Sequence, residues 1–286
     1  MQKIWVCGAR GQIGQAVNDV VDKLEFEMLD TDVDDLDVTD TDEVLRFGEM
    51  NRPDIIINCS GMTDISSCEE NPSQAFKVNA LGARNLAIVA AKMQAKMVQL
   101  STDDVFDGKS TEPYTEFDIT NPGTVYGKSK LAGENYVKEF TTKHFIVRST
   151  WVYGKGQNFI NGFLKKVDAG EQLSIASDQF GSPTSANELA RFLLHLVHTS
   201  EYGTYHATNK GVCSRYAFAQ EILKMTGKTA SMQPVPTVMS DFSKVRPAYA
   251  VLDNFIMSMV PIYDFPDWQD SLREYLEERG LSLIHI

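Results

Sequence analysis

Apolar positions in the first half of the chain fall into short runs that alternate with stretches of helical spacing. Lys3–Cys7 is an apolar strand, and Gln12–Lys23 repeats its apolar residues at intervals of three and four, as a helix does. Phe26–Leu29 reads as a second short strand. Thr41–Met50 reads as a helix with Thr41 as its cap. Asp54–Cys59 is almost continuously apolar. Pro72–Met93 predicts one long helix or two short ones, rich in Ala, Asn and Leu. Lys96–Leu100, Lys128–Phe140 and His144–Arg148 then read as strand, helix and strand. Strands buried on both faces and separated by helices predict a parallel sheet with crossover helices, in its open, doubly wound α/β form. Beyond Tyr153 the pattern is less regular. Helices are predicted at Phe159–Val167, Ala186–Val197 and Arg215–Thr226, with a short strand at Leu173–Ile175.

Composition narrows what this fold can serve. The 286 residues amount to one large or two modest domains, and 43% hydrophobic with 23% charged is ordinary for a globular chain. The formal net charge of −12 excludes nucleic acid as a partner, since phosphate backbones select basic surfaces. It leaves room for a small nucleotide held by a few local donors. No run of ~18 apolar residues predicts a membrane span, and the N-terminus lacks a signal-peptide pattern. Cys7, Cys59, Cys68 and Cys213 form no Cys-x-x-Cys pair and read as reduced thiols of a cytoplasmic protein, not as a disulfide frame or a zinc site.

Directly after the first strand comes Gly8-Ala9-Arg10-Gly11-Gln12-Ile13-Gly14. Glycines at this spacing permit a tight turn, a close backbone approach to a pyrophosphate and close strand–helix packing. The following helix N-terminus presents N–H groups and partial positive charge to phosphates. A second strand ending at Asp30, 16 residues past Gly14, completes the context for a Rossmann-like dinucleotide site. The candidate cofactor contacts in this loop are Gly8, Arg10, Gly11, Gln12, Ile13 and Gly14. The cofactor is NADPH or NADH, and local charge argues both ways. Asp30 or Asp32 can accept from ribose hydroxyls, and the seven aspartates between Asp30 and Asp42 repel a 2′-phosphate. Arg10 can instead pair with that phosphate. Asp37 and Val38 are candidates to flank the adenine. On this basis residues 1–155 form the dinucleotide-binding domain. Residues 156–286 form a smaller substrate-binding lobe, with about 171–200 returning to the sheet.

Tyr126-Gly127-Lys128-Ser129-Lys130 opens a helix, and residues four apart share a helical face. A phenol with an ordinary pKa near 10 is a poor proton donor or acceptor at neutral pH. A neighbouring ammonium favours the phenolate and tunes it for proton exchange with a carbonyl or alcohol. Thr102 ends the strand one crossover earlier, at the carboxyl edge where such sheets bind ligands, and can give a second hydrogen bond to the reacting oxygen.

The glycine loop with Tyr126 and Lys130 resembles the extended short-chain dehydrogenase/reductase superfamily. Further segments are similar to one branch, the dTDP-4-dehydrorhamnose reductases. They include Asn58–Thr63, Val78–Leu86, Ser101–Gly108, Val125–Glu134, Arg148–Gly154, Asp178–Thr184 and Arg246-Pro247, in the family's order from residue 8 to about 250. The resemblance implies Thr102, Tyr126 and Lys130 as the catalytic triad, with Tyr126 and Lys130 also touching the cofactor. It implies Ser60, Gly61 and Thr63 as a cofactor loop, and Asn79 as a brace of the glycine loop. It places Trp151 and Arg246 against a nucleotide-sugar, and makes Asp178–Thr184 a loop shaping the substrate side. The reaction implied is NAD(P)H-dependent reduction of the 4-keto group of dTDP-4-dehydro-L-rhamnose. Some family reductases are metal-linked dimers. No residue pattern here carries the metal over, and a homodimer is an expectation from the family alone.

The chain departs from the family where substrate would sit. The usual tyrosine after Ser-Thr-Asp is Asp104, so Asp103 and Asp104 are candidate substrate contacts. An acidic pair after Thr102 resembles the Asp-Glu pair of sugar-nucleotide dehydratases. Ser60 and Gly61 replace the usual alanines, and Tyr249-Ala250 the usual Asn-Ser. Gly280–Ile286 does not resemble the family's end and reads as non-native. These changes keep open another 4-keto reductase, an epimerase or a dehydratase. A non-catalytic subunit like the regulatory subunit of methionine adenosyltransferase is a further alternative.

Overall fold

In three dimensions the apolar runs become the two faces of a single sheet. The computed structural model describes residues 1–237 and 247–282. The strands β1 (Gln2–Cys7), β2 (Phe26–Thr31), β3 (Ile55–Asn58), β4 (Lys96–Thr102), β5 (His144–Ser149) and β6 (Gly203–His206) form a six-stranded sheet. Every pairing in it is parallel, in the order β2-β1-β3-β4-β5-β6. The principal helices are α1 (Gln12–Val20), α2 (Thr41–Asn51), α3 (Ala83–Met93), α4 (Val125–Phe140), α5 (Phe159–Asp168), α6 (Ala186–Val197), α7 (Arg215–Thr226) and α8 (Trp268–Glu278).

Successive strand residues point to opposite faces, and both faces are covered. Ile4, Val6, Val98, Leu100 and Val147 pack on one side with Ala16 and Val17 of α1 and Leu189 and Leu193 of α6. Trp5, Ile56, Met97 and Ile146 pack on the other with Val44 of α2, Leu86 of α3 and Val137 of α4. β3 is only four residues long, yet Ile55, Ile56 and Ile57 are fully buried, each contributing roughly 1.5–3 kcal/mol of transfer free energy. The chain leaves β1 toward β2 on one side and returns through β3 on the other. The crevice at the carboxyl ends of β1 and β3 is therefore the topological switch point.

Several boundaries differ from the sequence reading, each for a local reason. Thr41 is the first helical residue of α2, not its cap. The cap is Asp40, whose carboxylate accepts from Glu43 N at 2.9 Å. Helix α4 begins at Val125, a turn before Lys128, because Thr124 Oγ1 accepts from Gly127 N at 2.9 Å and Glu69 Oε1 from Val125 N at 2.8 Å. The segment 72–93 holds two α-helices, as one of the two readings had it, but they are joined without a break. A helical turn at Pro72–Phe76 runs through a π-helical stretch, Lys77–Gly82, into α3.

Within 171–200, α6 packs on the sheet against α1, whereas Leu173–Ala176 pairs in parallel with Met232–Val235 outside it. The strand added to the main sheet is β6, which lies beyond that range. A separate core holds the C-terminal lobe together: Phe163 and Leu164 of α5, Phe218 and Ile222 of α7, Leu272 and Leu276 of α8. No helix among the described residues is long and apolar enough to cross a membrane.

Candidate active site

The glycine loop fits the crevice because its side chains are missing. Gly8 has φ +76°, and a Cβ there would lie 2.7 Å from Ser60 N. A Cβ on Gly14 would lie 2.4 Å from Gly8 O, so α1 can start directly against the turn. Two cavities meet over this loop and share Gly11, Cys59, Ser60 and Gly61 in their walls. The smaller, about 400 Å³, runs past Asp32, Asp37 and Val38 beyond the end of β2. The larger, about 740 Å³, holds Gln12, Ile13 and Thr63 and continues over Thr102, Asp103, Tyr126, Lys130 and Trp151. The open cradle and the α1 N-terminus suit a dinucleotide lying across the switch point.

The candidates do not all reach this cleft. Asp30 lies inside β2, is exposed and lines neither cavity, while Asp32 lines the smaller one. β2 runs on to Thr31, so that Asp32 rather than Asp30 follows its end. Arg10 turns outward to the acidic loop. Its guanidinium pairs with Asp34 at 2.7 Å and Asp35 at 2.8 Å, and its backbone N–H donates to Asp32. Asp103 lines the larger cavity, but Asp104 is buried in the 3-10 turn Asp103–Val105 and lines neither. Its side chain is turned in because its N–H closes that turn on Thr102 Oγ1 at 3.2 Å. Arg246 lies outside the described residues.

Asn79 braces something other than the glycine loop. Its Oδ1 accepts from Met62 N at 2.8 Å, and its Nδ2 donates to Met62 O and to Ser129 Oγ, both at 2.9 Å. It thus ties the loop after β3 to helix α4. Its position in the π-helical stretch, a feature found often at functional sites, aims it there. Helix α4 seats closely on both neighbours. A Cβ on Gly127 would lie 2.0 Å from Asp104 O, and one on Gly133 would lie 2.4 Å from Asn79 O.

This packing buries Lys130 to 5% exposure. Burial pulls its ammonium down to about 8, although Glu134 and Cys59 act in the opposite sense. The same burial, partly offset by Lys130, pushes the Cys59 thiol up to about 12, so it is not a nucleophile at neutral pH. Beneath Lys130, Glu134 accepts from Ser101 Oγ at 2.5 Å and takes a two-pronged ion pair from Arg148, at 2.9 and 2.7 Å. Ser101 and Arg148 are register partners on β4 and β5, so one buried carboxylate locks helix α4 to two strands. Thr102, Tyr126 and Lys130 all line the same cavity. Two donors and a buried cation around one space can protonate and polarise a carbonyl.

The sequence reading missed part of the wall of the larger cavity. Arg215, at the start of α7, lines the larger cavity, as do Phe159 and Gln179. Gln179 belongs to the Asp178–Thr184 loop singled out above. Arg215 carried no signal, being a lone arginine after a short strand. Trp151 holds a left-handed backbone, φ +47°, and its indole lies over Gly181, where a Cβ would come within 2.6 Å of the ring.

Residues 1–280 match the family described as the RmlD substrate binding domain. The chain is 35% identical to the spore coat polysaccharide biosynthesis protein SpsK of Bacillus subtilis, over 98% of this chain and 99% of that one. A solved dTDP-4-dehydrorhamnose reductase from Clostridium acetobutylicum is 40% identical and superposes with a TM-score of 0.95, covering 98% of this chain and 100% of its own. Another from Bacillus anthracis, solved in complex with NADP, is 35% identical with a TM-score of 0.94, covering 97% and 100%. With its cleft at the switch point and a match over almost its whole length, this chain belongs to the RmlD substrate binding domain family.

Proposed function

We propose that this chain reduces the 4-keto group of dTDP-4-dehydro-L-rhamnose to give dTDP-L-rhamnose, using NADPH or NADH, in the cytoplasm. The observation that carries the reading is a cavity in which Gly11, Gln12 and Ile13 of the glycine loop meet Thr102, Tyr126 and Lys130, with a second cavity adjoining it over the same loop. The cradle suits a dinucleotide, since the tight turn needs glycine at Gly8, where φ is +76°, and at Gly14, where a Cβ would meet Gly8 O and keep the N-terminus of α1 off the turn. When bound, the nicotinamide supplies the hydride for the carbonyl carbon. Tyr126 donates the proton to the carbonyl oxygen, and Thr102 gives that oxygen a second hydrogen bond. Lys130 favours the tyrosinate that remains and holds the nicotinamide ribose. Preorganised donors at a developing alkoxide are the main source of rate in such sites. A dehydratase reading, which would use the Asp103-Asp104 pair, is disfavoured by the burial of Asp104 away from the cavity.

The test is absorbance loss of NADH and NADPH, in parallel, with dTDP-4-dehydro-L-rhamnose made in situ. Turnover should fall by roughly 10²–10⁴ in Tyr126→Phe, the usual size of a general-acid contribution. Full turnover in that variant, or none in the wild type with either cofactor, sinks the assignment.

A further inference from the structure

We infer that Arg215 grips the diphosphate of the nucleotide-sugar substrate, its plane fixed between Trp151 and Phe159. This rests on the reading of a nucleotide-sugar site given above. The chain as a whole carries a formal charge of −12, so an anionic substrate needs a local cation. Among the described residues lining the larger cavity, the cations are Lys130 and Arg215 and the carboxylate is Asp103. Lys130 is committed to Tyr126 and the cofactor. Arg215 is therefore the positive group on the substrate side.

Its setting suits that role. The guanidinium carbon sits 3.5 Å from the centre of the Trp151 ring and 4.8 Å from that of Phe159. Trp151 in turn rests on Gly181, where no Cβ intervenes, and Phe159 is stacked with Phe163 and Phe218. Stacking uses the faces of a guanidinium, whereas its five N–H donors lie in the plane, at right angles to the stack. A planar fork held this way is preorganised for two-pronged bonding to phosphate oxygens, and it loses little freedom on binding.

The experiment is calorimetric titration of the NADP⁺-loaded protein with dTDP and, separately, with thymidine, in wild type, Arg215→Gln and Arg215→Lys. Loss of charge-assisted hydrogen bonds should weaken dTDP by roughly 10- to 100-fold in Arg215→Gln while thymidine changes less than about twofold. Arg215→Lys should recover part of the dTDP affinity, having the charge without the fork. KM for the sugar nucleotide should rise in step, with kcat within about threefold. Unchanged dTDP affinity in Arg215→Gln overturns the inference. So does an equal loss for dTDP and thymidine, which would make Arg215 a prop for Trp151. If wild type turns over the 4-keto sugar while Arg215→Gln binds dTDP normally, only this inference falls. If dTDP binding depends on Arg215 but no 4-keto sugar is reduced, the inference stands and the assigned reaction falls.

Discussion

Lys130 should give activity and stability opposite responses to alkaline pH. Burial lowers its pKa to about 8, against roughly 10.4 for a free lysine. If the ammonium is what tunes Tyr126, kcat/KM for NADPH, which reports the unliganded enzyme, should be level to about pH 7. It should halve near 8 and fall about tenfold per unit above that. An unperturbed lysine would hold activity to about pH 10. Stability runs the other way. Between about pH 8 and 10 the unfolded chain holds the proton that the folded chain has released, so unfolding free energy rises with pH. At pH 7 the buried ammonium costs the fold about 3 kcal/mol, taken from the difference between the two pKa values. Lys130→Met, of similar length and uncharged, should therefore be more stable than wild type at pH 7 by an amount up to that figure. It should also lose the rise between pH 8 and 10 and turn over slower by 10² or more. Urea unfolding and initial rates across pH 6–10 on both proteins settle the matter. A flat rate profile to pH 9.5, or a Lys130→Met protein less stable than wild type with the same pH slope, refutes the reasoning.

Three further outcomes are expected. Burial, then the nearby Arg148, pulls His206 down to about 3, so its stabilisation is complete above pH 6.5 and drains away below it; unfolding free energy should drop by about 2 kcal/mol from pH 8 to pH 5, and less in His206→Asn, as read by urea melts. Gly127→Ala forces a methyl to within 2.0 Å of Asp104 O and should cost about 2–3 kcal/mol with a lower kcat, whereas Gly123→Ala, with nothing within 4 Å, should change neither thermal midpoint nor rate. The Arg10 pairs with Asp34 and Asp35 are exposed and individually weak, so Asp34→Asn with Asp35→Asn should release Arg10 toward a 2′-phosphate; KM for NADPH should fall several-fold with NADH unchanged, and equal shifts for both would show that Arg10 does not read the phosphate.

The strands β1, β3, β4 and β5 were legible from sequence because burial on both faces makes their runs mostly apolar, with Asn58, Gln99 and Arg148 as buried polar exceptions. The glycine loop and the Tyr126/Lys130 pair were legible because their chemistry is local: a turn that excludes Cβ atoms and two residues on one helical face. β6 was not, since Gly203–His206 is a short edge strand that owes its place to β5 rather than to its own composition. The inward turn of Asp104 and the outward turn of Arg10 were decided by neighbours far along the chain or by the closing of one turn, which spacing does not encode. Asn79 was recognisable as a brace, but its partner depended on a π-helical stretch that redirects one side chain. Arg215 joins Trp151 only because α7 folds back over the cavity, 64 residues on. Sequence by itself determined the central strands, the glycine turn and the placing of Tyr126 and Lys130 on one helical face, whose causes lie within a few residues of one another. Tertiary structure alone decided which charges face the cleft, because that follows from the packing of distant elements.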